Sequence, residues 1–508
     1  MKKLSEQSAA QIPPRLPEVI AEPGLLVGWS LEHENKPRPI GFNYGDPDLS
    51  PSKGYLDPIL FQGEGHLITI APTGAGKGIG CIIPSLLRYE GPVIVIDPKG
   101  ENFAVTAKRR RDMGQQVVLL DPMGITGSQT DTLNPLDIID LDAPASVDEV
   151  ASLAGALWPD QVLPNDQFWR SRGNQLLLGL ILHLLYDHEP ENRNFAEARR
   201  LVARALADPG SVLEAMQKSR HPEAVQIASM LRIPAEETLG GIISFAQEGV
   251  AFFRGQLVQH ATAATSFDLA AITQGDPLSV YIVMPPHMLE THGRLLRLWI
   301  TVMMIAIGRR RGRPPHSTLF ILDEAAQLGT LPQLRQAITL MRGYGMQTWS
   351  FWQDVSQLKR LYPDDWQTMI NNCSVIQAFG PKNLVAAREM CDLTGFWDAP
   401  EVLAMDFHEM LLANAGDESV IARRPNYLSD PLFTGLYEAN PFHGALQPDP
   451  PSPRLPMRLY VRPRAELLKS LTAGDDTLVQ DLLQKWATTR PDSSDGDLSL
   501  EETRDRIR

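Results

Sequence analysis

Apolar residues come along this chain in two rhythms. The first is a series of short unbroken runs. "HLITI" (66–70), the centre of "GPVIVIDPKGE" (91–101) and the centre of "QQVVLLDPMG" (115–124) are mostly or wholly apolar, as strands covered on both faces are. A glycine loop and the helical pattern "GIGCIIPSLLRYE" follow the first run, and the other two each end in Asp-Pro. This succession predicts an α/β fold with a doubly wound, largely parallel sheet and loops at the strand carboxyl ends. The same rhythm returns in "PLSVYIVMP" (277–285), "STLFILDEAAQLG" (317–329), "QTWSFWQD" (347–354) and "SVIQAFG" (374–380), with a helix expected over 289–308.

The second rhythm fills the stretch between. From 140 to 265 the periodicity is helical, as in "SVDEVASLAGALWPD" and "FAEARRLVARALADPG", with Gly and Pro as punctuation. An all-α insertion domain is expected there, between two parts of a nucleotide-binding domain at 61–139 and 266–440. Residues 1–60, rich in Pro, Gly and Asn, are expected to form a poorly defined N-terminal arm, either short strands or an extended segment. Residues 441–508 are expected to be a Pro-rich extension and a polar tail, the last segment disordered.

Composition narrows the picture only slightly. A chain of 508 residues can bury a large core and build two or three domains. The net charge of −14 gives no global attraction to nucleic acid, although a channel inside an acidic shell can still be basic. Cys81, Cys373 and Cys391 show neither CxxC nor metal-ligand spacing, which points to a reducing compartment. The N-terminal "MKKLSEQSAAQIPPRLPEVIAEPG" lacks the apolar core of a signal peptide. The apolar stretches 174–186 and 295–308 fall short of the ~20 residues that span a bilayer, so no transmembrane segment is expected.

Chemistry concentrates at the ends of the apolar runs. After "HLITI" comes "APTGAGKG", in which Thr73, Gly74, Ala75, Gly76, Lys77 and Gly78 form a candidate phosphate cradle. Glycines let backbone amides turn inward, the following helix adds its positive end, and Lys77 would reach the β- and γ-phosphates. Against G-x-x-x-x-G-K-[ST], Ala71 replaces the first glycine and Gly78 the hydroxyl residue that ligates magnesium. A plain strand-to-helix turn is the competing reading. Asp323 and Glu324 close the run 319–322 on a neighbouring strand. Asp323 would hold magnesium, and Glu324 would orient the attacking water. Adjacent acids at a buried strand end are costly without a cation, which disfavours a simple solvated turn. Gln353 closes the next run and would sense the γ-phosphate or cap the strand; the sequence leaves both open.

Arg342, beside two glycines in "LMRGYGMQ", is the candidate for an arginine acting in a neighbouring subunit, with a surface arginine as the default. Lys99 could approach the nucleotide from the next loop. The basic runs "AKRRRD" (107–112) and "GRRRGRPP" (308–315) could touch DNA phosphates, though such runs more often solvate helix ends. Phe168 and Trp169 could stack on bases or pack in a core.

The ordered set of blocks resembles the type IV coupling proteins, the TraG-like conjugation ATPases. "APTGAGKGIGCIIPSLL", "VIDPKGE", "NPLD" (134–137), "QFW" (167–169), "TSFDLAAI" (265–272), "LDEAAQLG" and "GYGMQTWSFWQDVSQL" match family blocks in family order over roughly 60 to 440. In that family a glycine often follows the lysine, so Gly78 fits a working loop. The resemblance implies a RecA-like P-loop ATPase core using ATP and Mg2+, with an all-helical, substrate-recognising insertion. It implies a homohexamer in which Arg342 would act across subunits. It also implies delivery of a relaxase–DNA complex or protein effectors to a type IV secretion channel, beside that channel's ATPases and inner-membrane components. Family members usually begin with membrane-spanning helices. None is visible in residues 1–60, so a location at the cytoplasmic face of the inner membrane with a separate membrane anchor is expected. Two alternatives stand beside this one: a non-hydrolysing docking adaptor, and a cytosolic DNA helicase or packaging motor of the same fold.

Overall fold

The computed structural model describes residues 16–31, 42–44, 56–158, 166–232 and 235–441. Most of the expected N-terminal arm, and all of the expected extension and tail after Pro441, lie outside these residues. Twelve strands form a single sheet. In chain order they are β1 (Leu25–Ser30), β2 (Phe42–Tyr44), β3 (Pro58–Phe61), β4 (His66–Ile70), β5 (Val93–Ile96) and β6 (Gln116–Leu120). There follow β7 (Leu278–Ile282), β8 (Thr318–Leu322), β9 (Met346–Trp352), β10 (Cys373–Ala378), β11 (Glu409–Asn414) and β12 (Val420–Arg423).

The spatial order is β2-β3-β1-β12-β11-β10-β4-β9-β8-β5-β7-β6. Every pair from β10 to β6 is parallel, so the strands read from the apolar runs share one direction and one loop-bearing edge. β4, β5, β7, β8 and β9 are buried along their whole length, the reason all but β9 read as largely apolar runs. Leu67, Val95, Ile321, Trp349, Phe351 and Val375 share one core with Ile82 and Leu86 from the helix after the loop.

The other half of the sheet is antiparallel. A hairpin of β11 and β12 extends β10, and β1, β3 and β2 continue from it. Residues 25–30 and 58–61 of the expected arm are thus ordered strands paired with the C-terminal hairpin. One further expectation needs adjusting. The acid-bearing β8 does not neighbour β4, because β9 lies between them.

Helices cover the sheet: α1 (Ile83–Arg88) and α2 (Glu101–Asp112) between β4 and β6. Between β6 and β7 lie α3 (Ser146–Ala156), α4 (Gln167–Asp187), α5 (Phe195–Ala207), α6 (Pro209–Gln217), α7 (Pro222–Met230), α8 (Glu236–Val250), α9 (Gln256–Ala261) and α10 (Ala270–Gln274), with no strand among the described residues. The entry and exit of this helical stretch are stapled together. Thr265 Oγ1 donates to Asp137 Oδ2 at 2.7 Å, Asn134 N donates to Thr265 Oγ1 at 3.2 Å, and Ser266 N donates to Thr132 O at 3.0 Å. The "NPLD" and "TSF" blocks therefore meet as one latch. Trp169 packs on α8, where a Cβ at Gly241 would lie 2.6 Å from its ring, while Phe168 stays half exposed.

α11 (Pro286–Gly308) follows β7. No helix among the described residues is long and apolar enough to cross a membrane. The basic run after α11 is structural at its centre. Buried Arg310 donates to Ile272 O (2.7 Å), Thr273 O (3.2 Å), Tyr344 O (3.0 Å), Gly345 O (3.1 Å) and Thr318 Oγ1 (2.7 Å). Arg110, in the other basic run, is fully buried and takes Leu86 O, Tyr89 O and Gly91 O at the end of α1. Each central arginine caps the carboxyl ends of other segments, as guanidinium forks do well. Arg309 and Arg313 pair with Glu149 and Glu64.

Candidate functional site

β4 runs into the glycine loop, and Ala71 N extends the pairing with β9 by donating to Trp352 O at 2.8 Å. Gly74 (φ +80°) and Gly76 (φ +88°) take left-handed conformations that a side chain would strain, turning the chain back over the strand end. Thr73 and Gly74 stand exposed at the crown, and Ala75 is buried. Lys77 curls under the loop, donating from Nζ to Ala71 O (3.0 Å) and Pro72 O (3.4 Å). Gly78–Ile82 is a π-helical turn that leads into α1, a distortion frequent at functional sites. Beneath the loop a polar tie joins three strands: Trp349 Nε1 donates to Thr69 Oγ1 at 2.8 Å, and Thr69 Oγ1 to Gln377 Oε1 at 2.8 Å.

Across β9, β8 ends in the acid pair. Glu324 has φ +54°, the single left-handed non-glycine residue among those described, and its carboxylate accepts from Gln327 Nε2. Strained backbone of this kind clusters at functional sites. Burial pushes the Asp323 carboxyl up to about 6, Glu324 adds to the shift, and Lys77 and Lys99 oppose it. Burial lowers the Lys77 pKa in turn, with Asp323 and Glu324 working the other way. The lysine and the acid pair therefore lie within electrostatic reach of one another, two strand spacings apart, about 10 Å along the sheet. Gln353 follows β9 and so occupies the edge between them, half buried, its backbone N donating to Gln357 Oε1 at 3.0 Å. Lys99 acts on both Lys77 and Asp323, which puts it in the same group.

Arg342 is not brought to this site within one chain. It sits in the turn Met341–Tyr344 before β9, and its charge acts on buried His66 at the start of β4. The length of the sheet separates it from Lys77.

Two neighbours of the site lay beyond the sequence reading. Asp97 ends β5 as Asp323 ends β8. It is buried and accepts from Phe103 N at 2.9 Å, capping α2; burial pushes its carboxyl up to about 7, and Asp323 contributes. Its signal was present, since "VIVID" repeats the pattern of "FILD". Arg424, just after β12, left no such signal. Its guanidinium lies between the rings of Phe379 (4.3 Å) and Phe407 (5.0 Å) and donates to Ala75 O on the outside of the loop.

The chain as a whole has relatives. The family model for type IV secretory system conjugative DNA transfer matches residues 35–395. Among curated relatives, the conjugal transfer protein TraG of Escherichia coli is 29% identical over 365 residues, 67% of this chain and 57% of TraG. The coupling protein VirD4 of Bartonella quintana is 23% identical over 357 residues, 68% of this chain and 55% of VirD4. The chain thus spans a little over half the length of these relatives. Among solved structures, the conjugative coupling protein TrwBdeltaN70 superposes with a TM-score of 0.55 at 17% identity, covering 71% of this chain and 84% of TrwB. TrwB in complex with ADP and Mg2+ gives 0.56 at 15% identity, covering 72% and 87%. At such identity the likeness shows the fold: the RecA-like P-loop fold that the resemblance implies, with the parallel sheet and the helices that the patterning predicts. The chain belongs to the type IV secretory system conjugative DNA transfer family.

Proposed function

We propose that this chain is an ATP-driven coupling protein that delivers DNA with its bound relaxase, or protein effectors, to a type IV secretion channel. One observation carries the enzymatic part: the loop that bears Lys77 and the acid pair Asp323–Glu324 follow parallel strands separated by a single intervening strand, at the same edge of the sheet. The backbone from Thr73 to Gly78 cradles the phosphates, and Lys77 leaves the carbonyls of Ala71 and Pro72 to reach their oxygens. Gln353 contacts the γ-phosphate or the water. Glu324 orients the water and takes its proton.

The donors present fit a magnesium ion. Asp323 is a desolvated carboxyl beside a second acid, a concentration of negative charge that a divalent cation relieves. Asp323 would hold it together with water and nucleotide oxygens. When bound, magnesium neutralises charge on the β- and γ-phosphates. The related TrwB has been observed with ADP and Mg2+ and with the ATP analogue ADPNP, in keeping with ATP and Mg2+ as the cofactors here.

Arg342 lies at the sheet edge opposite its own loop, so its catalytic use requires another copy of the chain. A homohexamer with sites between subunits meets that requirement. The helices between 140 and 265 form the insertion domain that recognises substrate. The assembly works at the cytoplasmic face of the inner membrane, against the channel's ATPases and inner-membrane components.

A non-hydrolysing adaptor is the second reading, favoured by Gly78, which offers no hydroxyl to a metal. ATP turnover of the purified chain, with and without single-stranded DNA, separates the two. A motor turns over ATP and accelerates on DNA. An absence of turnover under both conditions selects the adaptor.

A further inference from the structure

Phe407 is a large aromatic ring left 64% exposed at the rim of the phosphate loop. A Cβ placed on Gly76 would lie 3.7 Å from Phe407 Cζ and 3.2 Å from Arg424 Nη1. The ring is not loose. Arg424 lies over one face, 5.0 Å from the centroid, and its guanidinium also donates to the backbone carbonyls of Phe407 and Ala75. The guanidinium also lies 4.3 Å from the centroid of Phe379, so one cation serves both rings while Phe407 keeps most of its surface exposed.

Sheet order fixes which end of a nucleotide meets this ring. The acid pair lies on the β9–β8 side of β4, while Phe379 follows β10, Phe407 precedes β11 and Arg424 follows β12, all on the other side. A triphosphate that presents its γ-end to Asp323 and Glu324 must send its ribose and base toward β10. The segment after β12 runs along that exit: Tyr427 N donates to Ile79 O at 3.4 Å, and Pro425 O lies 3.1 Å from where a Cβ on Gly80 would sit.

We propose that Phe407, held by Arg424, is the platform on which the nucleobase stacks; the proposal rests on the loop being a nucleotide site. A stacked base gains from any π-face, so the contact binds nucleotides over bare phosphate chains without demanding one base.

Calorimetric titration of the full chain with ATP and with inorganic tripolyphosphate, both with magnesium, tests it. Phe407→Ala is expected to bind ATP about tenfold more weakly and tripolyphosphate as before. Phe407→Tyr should restore ATP binding, and Phe407→Leu, equally apolar but without a π-face, should not. Unchanged ATP affinity in Phe407→Ala overturns the platform. So does an equal loss for both ligands, which would make Phe407 a support of the loop while leaving the nucleotide site standing. Failure of the wild-type chain to bind either ligand would remove the site itself, and the platform with it.

Discussion

Gly78 occupies the position where a hydroxyl commonly ligates magnesium, and the space beside it is open. A Cβ built there meets nothing within 4 Å, and the residue is not among the left-handed glycines. A serine is therefore compatible with the backbone and would face the metal position of the loop. Gly78→Ser is expected to lower the magnesium concentration for half-maximal ATP turnover several-fold, read from a magnesium titration; an unchanged or higher requirement would mean that this position does not face the metal. At this scale the sequence shows where a polar residue closes an apolar run, as Asp323 and Gln353 do. Asp97 closes one too, yet an Asp-Pro turn masked it. Arg424 could not be read at all. Its partner Ala75 is 349 positions away, and nothing in a local pattern announces a cation lodged between two rings.

Among elements, buried arginines govern how the helices end. Arg310 gathers the last carbonyls of α10 and of the turn before β9 onto one fork and fastens both to β8 through Thr318. Arg310→Met keeps the length but strands those acceptors. A loss of about 3 kcal/mol is expected from urea unfolding, since each buried orphan costs about 1–3 kcal/mol. A change within about 0.5 kcal/mol, typical of surface sites, would mean that water replaces the fork. "GRRRGRPP" and "AKRRRD" looked like solvated ends because charge runs usually are. Only the fold reveals that the middle residue of each turns inward. Most of the parallel strands were readable because burial on both faces leaves their sequences largely apolar. The antiparallel strands could not be placed: β1 and β3 carry Gly28 and Pro58, and β1 pairs with β12 at the far end of the chain.

Across the whole molecule, one arrangement follows from strand order. β9 separates the loop strand from the acid strand, so Gln353 stands between the glycine loop and the acid pair, and the polar tie beneath the loop joins β9, β4 and β10. Arg342, at the opposite edge, is free for a second copy, which is how a ring would complete each site. All of this depends on Lys77 and Glu324 serving one bound triphosphate. Single-turnover hydrolysis of radiolabelled ATP, run beside equilibrium binding on Glu324→Gln and Lys77→Ala, bears on that dependence directly. Glu324→Gln should retain ATP within a few-fold of wild type yet lose more than about 100-fold in the cleavage step, and Lys77→Ala should lose both. Cleavage by Glu324→Gln within a factor of about two of wild type would contradict a shared site.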